Sequence, residues 1–171
     1  MYAIPANNPH INAPNNVVHG IWVARPVFIL SDTTPLVGTF SVPDGVYTIW
    51  VTMCGSGGIR FASGGSGAAA IFRQPVSVFP GQAIPYSIAG AANANSTDVD
   101  GADSTFGNLT ANKGLLSGLS NGNFSGAGTT TSGGNSLLGT SGGQNAQGFG
   151  AGGFSSSGNT FSGAGQLIVE W

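Results

Sequence analysis

The sequence predicts an all-β protein in which short strands bracket glycine-rich chain, and three observations lead there. Phe40 and Val42, then Tyr47, Ile49, Val51 and Met53, keep the two-residue alternation of half-buried strands across the turn Pro43-Asp44-Gly45, a β-hairpin signal. In such a turn proline presets φ and glycine supplies a conformation that other residues resist. Glycine makes up 30 of the 171 residues, more than twice its usual share of about 7%. The chain closes on Gly165-Gln166-Leu167-Ile168-Val169-Glu170-Trp171, the composition of a strand and not of a tail.

In chain order, residues 1–16 are rich in Asn and Pro and suit an extended arm. Val17 to Leu30 is apolar and β-branched, but Gly20 and Pro26 break it, so two short strands fit better than one helix. A turn over Ser31–Pro35 leads into a strand from Leu36 to Val42. The strand ending at Met53-Cys54 runs directly into a glycine-rich stretch, 55–67, and ordered chain restarts at Ala68–Arg73. Val76–Gln82 reads as a strand with a turn at Pro80-Gly81, Ile84–Ile88 as another, and Ser104–Ala111 as a further short strand. Between 112 and 165 the large apolar residues stand singly or in pairs among glycine, serine and asparagine.

Composition excludes several classes. Charged residues are 6% of the chain and the net charge is −2, so the many phosphate contacts that nucleic-acid binding requires are not available. Disorder normally combines low hydrophobicity with high charge, whereas this chain is 40% hydrophobic. No run approaches the roughly 18 apolar residues of a membrane span, and the N-terminal residues lack the charged and apolar regions of a signal peptide. The single cysteine, Cys54, forms no intrachain disulfide and reads as a small buried hydrophobe.

The glycine-rich middle is not collagen, because the glycines change phase and no proline follows Pro85. Glycine-rich loops, or left-handed extended helices of the polyglycine-II type, remain. In the second case the missing side chains let neighbouring backbones approach and hydrogen-bond, with the residues between projecting as loops.

Thr39-Phe40-Ser41-Val42-Pro43-Asp44-Gly45-Val46, the strand end Met53-Cys54-Gly55-Ser56-Gly57-Gly58 and Gly64-Gly65-Ser66-Gly67-Ala68-Ala69 resemble the glycine-rich domain at the tips of bacteriophage tail fibres. Val76–Gln82, Tyr86-Ser87-Ile88-Ala89-Gly90, Asp103–Gly107 and the C-terminal strand follow in the same order. The resemblance covers about residues 38–171 and implies a jelly-roll-like β-sandwich framing the glycine-rich segments. It also implies a virion protein, with residues 1–37 as the attachment side, joined to other tail-fibre or baseplate proteins. On this reading the chain is a homotrimeric, non-enzymatic adhesin for a host cell-surface receptor, protein or glycan, with no cofactor, no nucleic-acid partner and no membrane insertion. The alternative is a structural cap or plug of the fibre or baseplate that touches no receptor.

Candidate contact residues are the aromatics set in small polar surroundings, Phe124, Phe149, Phe154 and Phe161, with the amides of Asn121, Asn123, Asn145 and Gln147. The competing reading of each phenylalanine is a plug between glycine-rich segments. Asp98, Asp100 and Asp103 alternate as in a calcium loop, but the closing glutamate is missing, and a polar surface turn is the simpler expectation. Both histidines, His10 and His19, fall in the N-terminal region, so a Ser-His-Asp triad has no support.

Overall fold

The computed structural model describes residues 27–31, 35–61, 63–95, 98–116, 134, 136, 139–140, 147–155 and 159–171. Among them there is no helix. In chain order the strands begin with β1 (Val27–Ser31), β2 (Leu36–Ser41), β3 (Thr48–Cys54), β4 (Ile59–Phe61) and β5 (Ala70–Ser77). They continue with β6 (Ala83–Ile88), β7 (Asn93–Asn95), β8 (Ser104–Phe106), β9 (Leu109–Ala111) and β10 (Gly139–Thr140). The last are β11 (Gln147–Gly148), β12 (Gly153–Ser155), β13 (Asn159–Phe161) and β14 (Gln166–Glu170).

Two four-stranded antiparallel sheets, β1-β14-β3-β5 and β2-β6-β8-β9, face each other as a β-sandwich. The alternation read from the sequence is what fills the space between them. Ile49, Val51, Met53, Leu167 and Val169 enter from one sheet, and Phe40, Ile84, Ile88, Phe106 and Ala111 from the other. The Phe40 ring packs at 5.9 Å from Phe106 and 5.8 Å from Trp171, tilted as aromatic quadrupoles prefer. Burying such side chains contributes about 1.5–3 kcal/mol each, and this is the main hydrophobic contribution of the fold.

Several expectations change in the structure. The segments flanking Pro43-Asp44-Gly45 are strands, but they do not pair with each other as a hairpin. β2 pairs with β6 and β3 with β5, so the turn passes from one sheet to the other. Phe40 and Val42 are buried between the sheets, and the Val42 N–H donates to the Gln82 carbonyl at 2.9 Å. Residues 104–111 form a hairpin and not one strand, because Gly107, with φ of 57°, turns the chain back. Ala70–Ser77 is one strand carried through an irregularity opposite Val51–Met53, where Arg73 takes a φ of 45°. That bulge sends the Arg73 side chain over β3 to Glu170 on β14, Nε to Oε2 at 3.0 Å, and the pair is exposed enough to contribute little. β1 and β2 are each an edge strand of their own sheet.

The registers give the molecule two unlike ends. Cys54 stands opposite Ala70 and Gln166, Leu36 opposite Ile88, and Ser104 opposite Ala111. The chain leaving Cys54, Ala70, Ile88, Ser104, Ala111 and Gln166 enters the glycine-rich part, whereas Leu36 follows β1 in the chain. At the opposite end lie the turns at Asp44-Gly45, Pro80-Gly81 and Gly107-Asn108, together with Val27, which faces Glu170. β14 occupies an inner position between β1 and β3, as its apolar composition requires.

Glycine serves two different purposes here. Gly81 has φ of 75° with open space around it, whereas a Cβ on Gly57 would lie 1.9 Å from the Ala151 carbonyl oxygen. Gly81→Ala is expected to cost about 1–2 kcal/mol from backbone conformation alone. Gly57→Ala is expected to cost about 3 kcal/mol or more through overpacking against rigid backbone. Urea unfolding midpoints of the two variants check the order; equal shifts would mean the glycine-rich part yields easily.

Candidate functional site

The glycine-rich segments form a hydrogen-bonded array of extended chains, and its logic is visible from Gly55 to Ile59. Gly55 and Gly58 donate to Ala69 and Ser66, on one neighbour, at 3.4 and 3.0 Å. Ser56 and Ile59 donate to Ala102 and Val99, on a second, at 3.0 and 2.7 Å, and Gly57 donates to Gly163, on a third, at 3.0 Å. The direction of the N–H therefore repeats every third residue, the period of polyproline-II and polyglycine-II chains. The next segment does the same. Gly65 and Ala68 donate to Gly153 and Gly150, while Ser66 and Ala69 donate to Leu115 and Asn112. In each of these pairs the partner numbers fall by three as the donor numbers rise by three, so the paired segments run antiparallel.

Such packing leaves no room for side chains on the shared faces. Built Cβ atoms would lie 2.3 Å from the Gly58 oxygen at Gly65, 2.0 Å from the Ser56 oxygen at Gly101 and 2.1 Å from the Gly148 oxygen at Gly163. At several contacting positions the side chain is serine, whose hydroxyl replaces a carbonyl as acceptor. Ser56 Oγ accepts from the Ala102 N–H at 2.8 Å, Ser66 Oγ from Leu115 at 2.7 Å and Ser162 Oγ from Ala92 at 2.9 Å. Ser104 Oγ accepts from Ala89 at 3.1 Å, where the array meets the sandwich. Ser136 Oγ donates to the Phe149 carbonyl. These serines look like linker composition in the sequence, and the sequence reading missed them; their spacing within glycine runs is the only signal.

Asp98, Asp100 and Asp103, expected as a polar surface turn or as weak calcium-loop candidates, bind main-chain amides. Each carboxylate accepts a different backbone N–H: Asp98 Oδ1 from Phe61 at 2.6 Å, Asp100 Oδ1 from Leu116 at 2.8 Å, Asp103 Oδ1 from Lys113 at 2.7 Å. Asp100 Oδ2 also pairs with Lys113 Nζ at 2.8 Å. The Leu116 N–H and the Lys113 ammonium hold the Asp100 carboxyl below its usual range. Among the described residues no group of three His, Cys, Asp or Glu side chains converges as a metal site. Burial pushes the Cys54 thiol up to about 12, which suits a packed hydrophobe and not a nucleophile.

The far end of the array, away from the sandwich, is the candidate contact surface. Phe61 lies six residues beyond Gly55, roughly 20 Å at about 3.1 Å per residue. It ends β4, which pairs in parallel with β12 so that Phe61 faces Ser155 and Arg60 faces Phe154. Phe161 begins the return towards β14, opposite Asn93 on β7. Phe61 is 44% exposed, Phe161 45% and Leu116 38%, on backbone held by the array.

Of the residues expected to make contact, Phe161 is therefore exposed at this end, and Phe149 is half-buried in the turn preceding Gly150. Gln147 and Phe154 fall on β11 and β12. Asn121, Asn123, Phe124 and Asn145 lie outside the described residues. The sequence reading passed over Phe61 and Leu116; the one signal is that Ile59-Arg60-Phe61 interrupts a glycine run. A second concavity sits at the turn end of the sandwich, lined by Val76, Ser77, Gln82, Ile84, Phe106, Gly107 and Asn108, without a titratable side chain.

No protein-family model matches this chain, and no curated protein is significantly similar to it.

The array's dependence on buried serine is testable. Ser66 is fully buried, and Ser66→Ala leaves the Leu115 N–H without its acceptor, at a cost of about 1–3 kcal/mol. Ser77→Ala on the exposed edge strand is expected to stay within about 0.5 kcal/mol of the parent. Thermal or urea denaturation distinguishes them, and a Ser66→Ala protein as stable as the Ser77→Ala one would contradict the assigned role.

Proposed function

We propose that the chain is the receptor-binding tip of a bacteriophage tail fibre, an adhesin that carries no catalytic chemistry. The observation that supports this reading best is the polarity of the fold. Chain enters the sandwich through Val27 at the end bearing the tight turns, and the hydrogen-bonded array projects from the other. Anchoring and recognition are thereby separated along one axis. The second support is the rigidity of the presenting surface. A side chain on backbone hydrogen-bonded to several neighbours loses little further freedom on binding, and ordering at an interface is a main cost of association.

Contact comes from Phe61, Phe161 and Leu116, from the other aromatics, and from the asparagine and glutamine amides of the segments between. Charge has a small part, because the whole chain carries four basic and six acidic groups. The N-terminal arm joins the tip to other tail-fibre or baseplate proteins, and the assembled tip is a homotrimer in the virion. Several tips engaging one cell convert modest single affinities into firm attachment.

Purified protein is expected to block phage adsorption and to bind isolated host surface fractions, with affinity nearly equal at low and high salt because screening acts only on charges. Phe61→Ala with Phe161→Ala is expected to weaken that binding by about tenfold or more, the loss typical of aromatic anchors, with the unfolding midpoint unchanged. Adsorption unaffected by saturating protein, together with particles that fail to assemble when the chain is deleted, would favour a structural cap instead. A steep salt dependence would refute the uncharged contact.

A further inference from the structure

The register of β2 leaves one row of its main-chain groups without partners. Val42, just past the strand, donates its N–H to the Gln82 carbonyl at 2.9 Å. In an antiparallel pair such bonds fall at every second residue, so Leu36, Gly38 and Phe40 are the residues of β2 that bond to β6. The other side of β6 agrees, because the Gly107 N–H donates to Pro85, the residue opposite Thr39. The N–H and C=O groups of Val37, Thr39 and Ser41 therefore point away from the sheet, and no described residue bonds to them. Val37 is 78% exposed, and Thr39 and Ser41 are exposed as well.

Open strand edges are templates for pairing with another chain, and folded proteins blunt them with proline, charge, bulges or short length. β5 carries Pro75 and the bulge at Arg73, whose φ is 45°. β9, the other edge of the sheet that contains β2, is three residues long. β2 has none of these devices: Leu36–Ser41 keeps an unbroken register against β6 and contains neither proline nor charge. Its free row repeats every second residue, about 6.8 Å, which is the spacing an extended peptide presents in return.

We propose that the β2 edge is a docking site, where the sheet takes a fifth strand from the tail-fibre or baseplate protein that carries the tip. The occupant is an extended segment, uncharged on the face it shares with Val37, Thr39 and Ser41. This rests on the tail-fibre reading above. β2 runs along the flank of the sandwich, from Leu36 beside the array to Ser41 beside the turns, remote from the surface assigned to the receptor. A second copy is the poorer occupant. β2 paired with itself makes a two-fold contact that closes as a dimer, at odds with a three-fold tip.

Hydrogen exchange tests the site at two levels. In the isolated protein the Val37, Thr39 and Ser41 amides are expected to exchange about tenfold or more faster than those of Gly38 and Phe40, which are bonded to β6. In whole phage particles, read by mass spectrometry, the segment 36–42 is expected to become protected. Thr39→Pro removes an N–H that bonds nothing within the fold, and proline is tolerated on such an edge. The variant is expected to keep the parent's unfolding midpoint and to compete for host adsorption as soluble protein, yet to be lost from particles. Val37→Lys, which charges the same edge and leaves the backbone alone, is expected to behave alike. Either variant incorporated at the parent level would overturn the docking site. So would edge amides already protected in the isolated protein, as in a β2-paired dimer, or still unprotected in the particle. Soluble protein that leaves adsorption untouched while β2 becomes protected in particles sinks the host-binding reading alone.

Discussion

Everything at the far end of this molecule depends on main chain lying directly against main chain. Gly55–Ile59 sends its N–H groups to three neighbouring segments and receives donors from Gly114 and Gly153 on two more. A chain surrounded in this way is held on several sides, and a Cβ at any of the contacting glycines would meet a backbone atom that cannot move aside. Glycine is disfavoured in folded structure because it loses the most conformational freedom. Here that loss is offset by hydrogen bonds on every side, each contributing on the order of 1 kcal/mol net and costly to leave unmade once buried.

The sandwich and the array divide the energetic work. Between the sheets, packed aliphatic and aromatic side chains provide stability that is insensitive to salt. In the array little apolar surface is available, and cohesion comes from backbone donors and acceptors, with serine hydroxyls and aspartate carboxylates filling the places where a carbonyl is missing. The two parts are not independent. Six strand positions, Cys54, Ala70, Ile88, Ser104, Ala111 and Gln166, deliver chain into the array at one end of the sandwich. The sheets thereby set the separation and direction from which the extended segments start.

For the proposed recognition role, this arrangement makes a stiff surface that is indifferent to what its outermost residues are. Glycine, alanine and serine predominate where segments of the array touch, with Ile59 and Thr160 also buried there, whereas positions beyond the last hydrogen bond are not packed against backbone in this way. Phe61, Leu116 and Phe161 stand at that border, each held through its main chain or its strand partner while its side chain meets solvent. A tip that must change its target without losing its fold would be built this way.

Much of this was legible in the residues. Alternation from Phe40 to Met53, the Pro80-Gly81 turn and the closing Leu-Ile-Val-Glu-Trp strand established an all-β fold, because a two-residue period and turn chemistry are local properties. Glycine abundance with few charges raised close backbone packing as a possibility. Strand partners were not legible: Pro43-Asp44-Gly45 reads the same whether it closes a hairpin or crosses between sheets, and only the pairing of β2 with β6 and of β3 with β5 decides it. Nor could the sequence assign Asp98, Asp100 and Asp103 to three separate amides, or distinguish Ser66 from a linker serine, since those partners come from segments up to about fifty residues away. Composition and periodicity determined which chemistry was available and where strands begin and end; the tertiary structure alone decided which backbones meet, because that depends on the register of sheets formed by residues far apart in the chain.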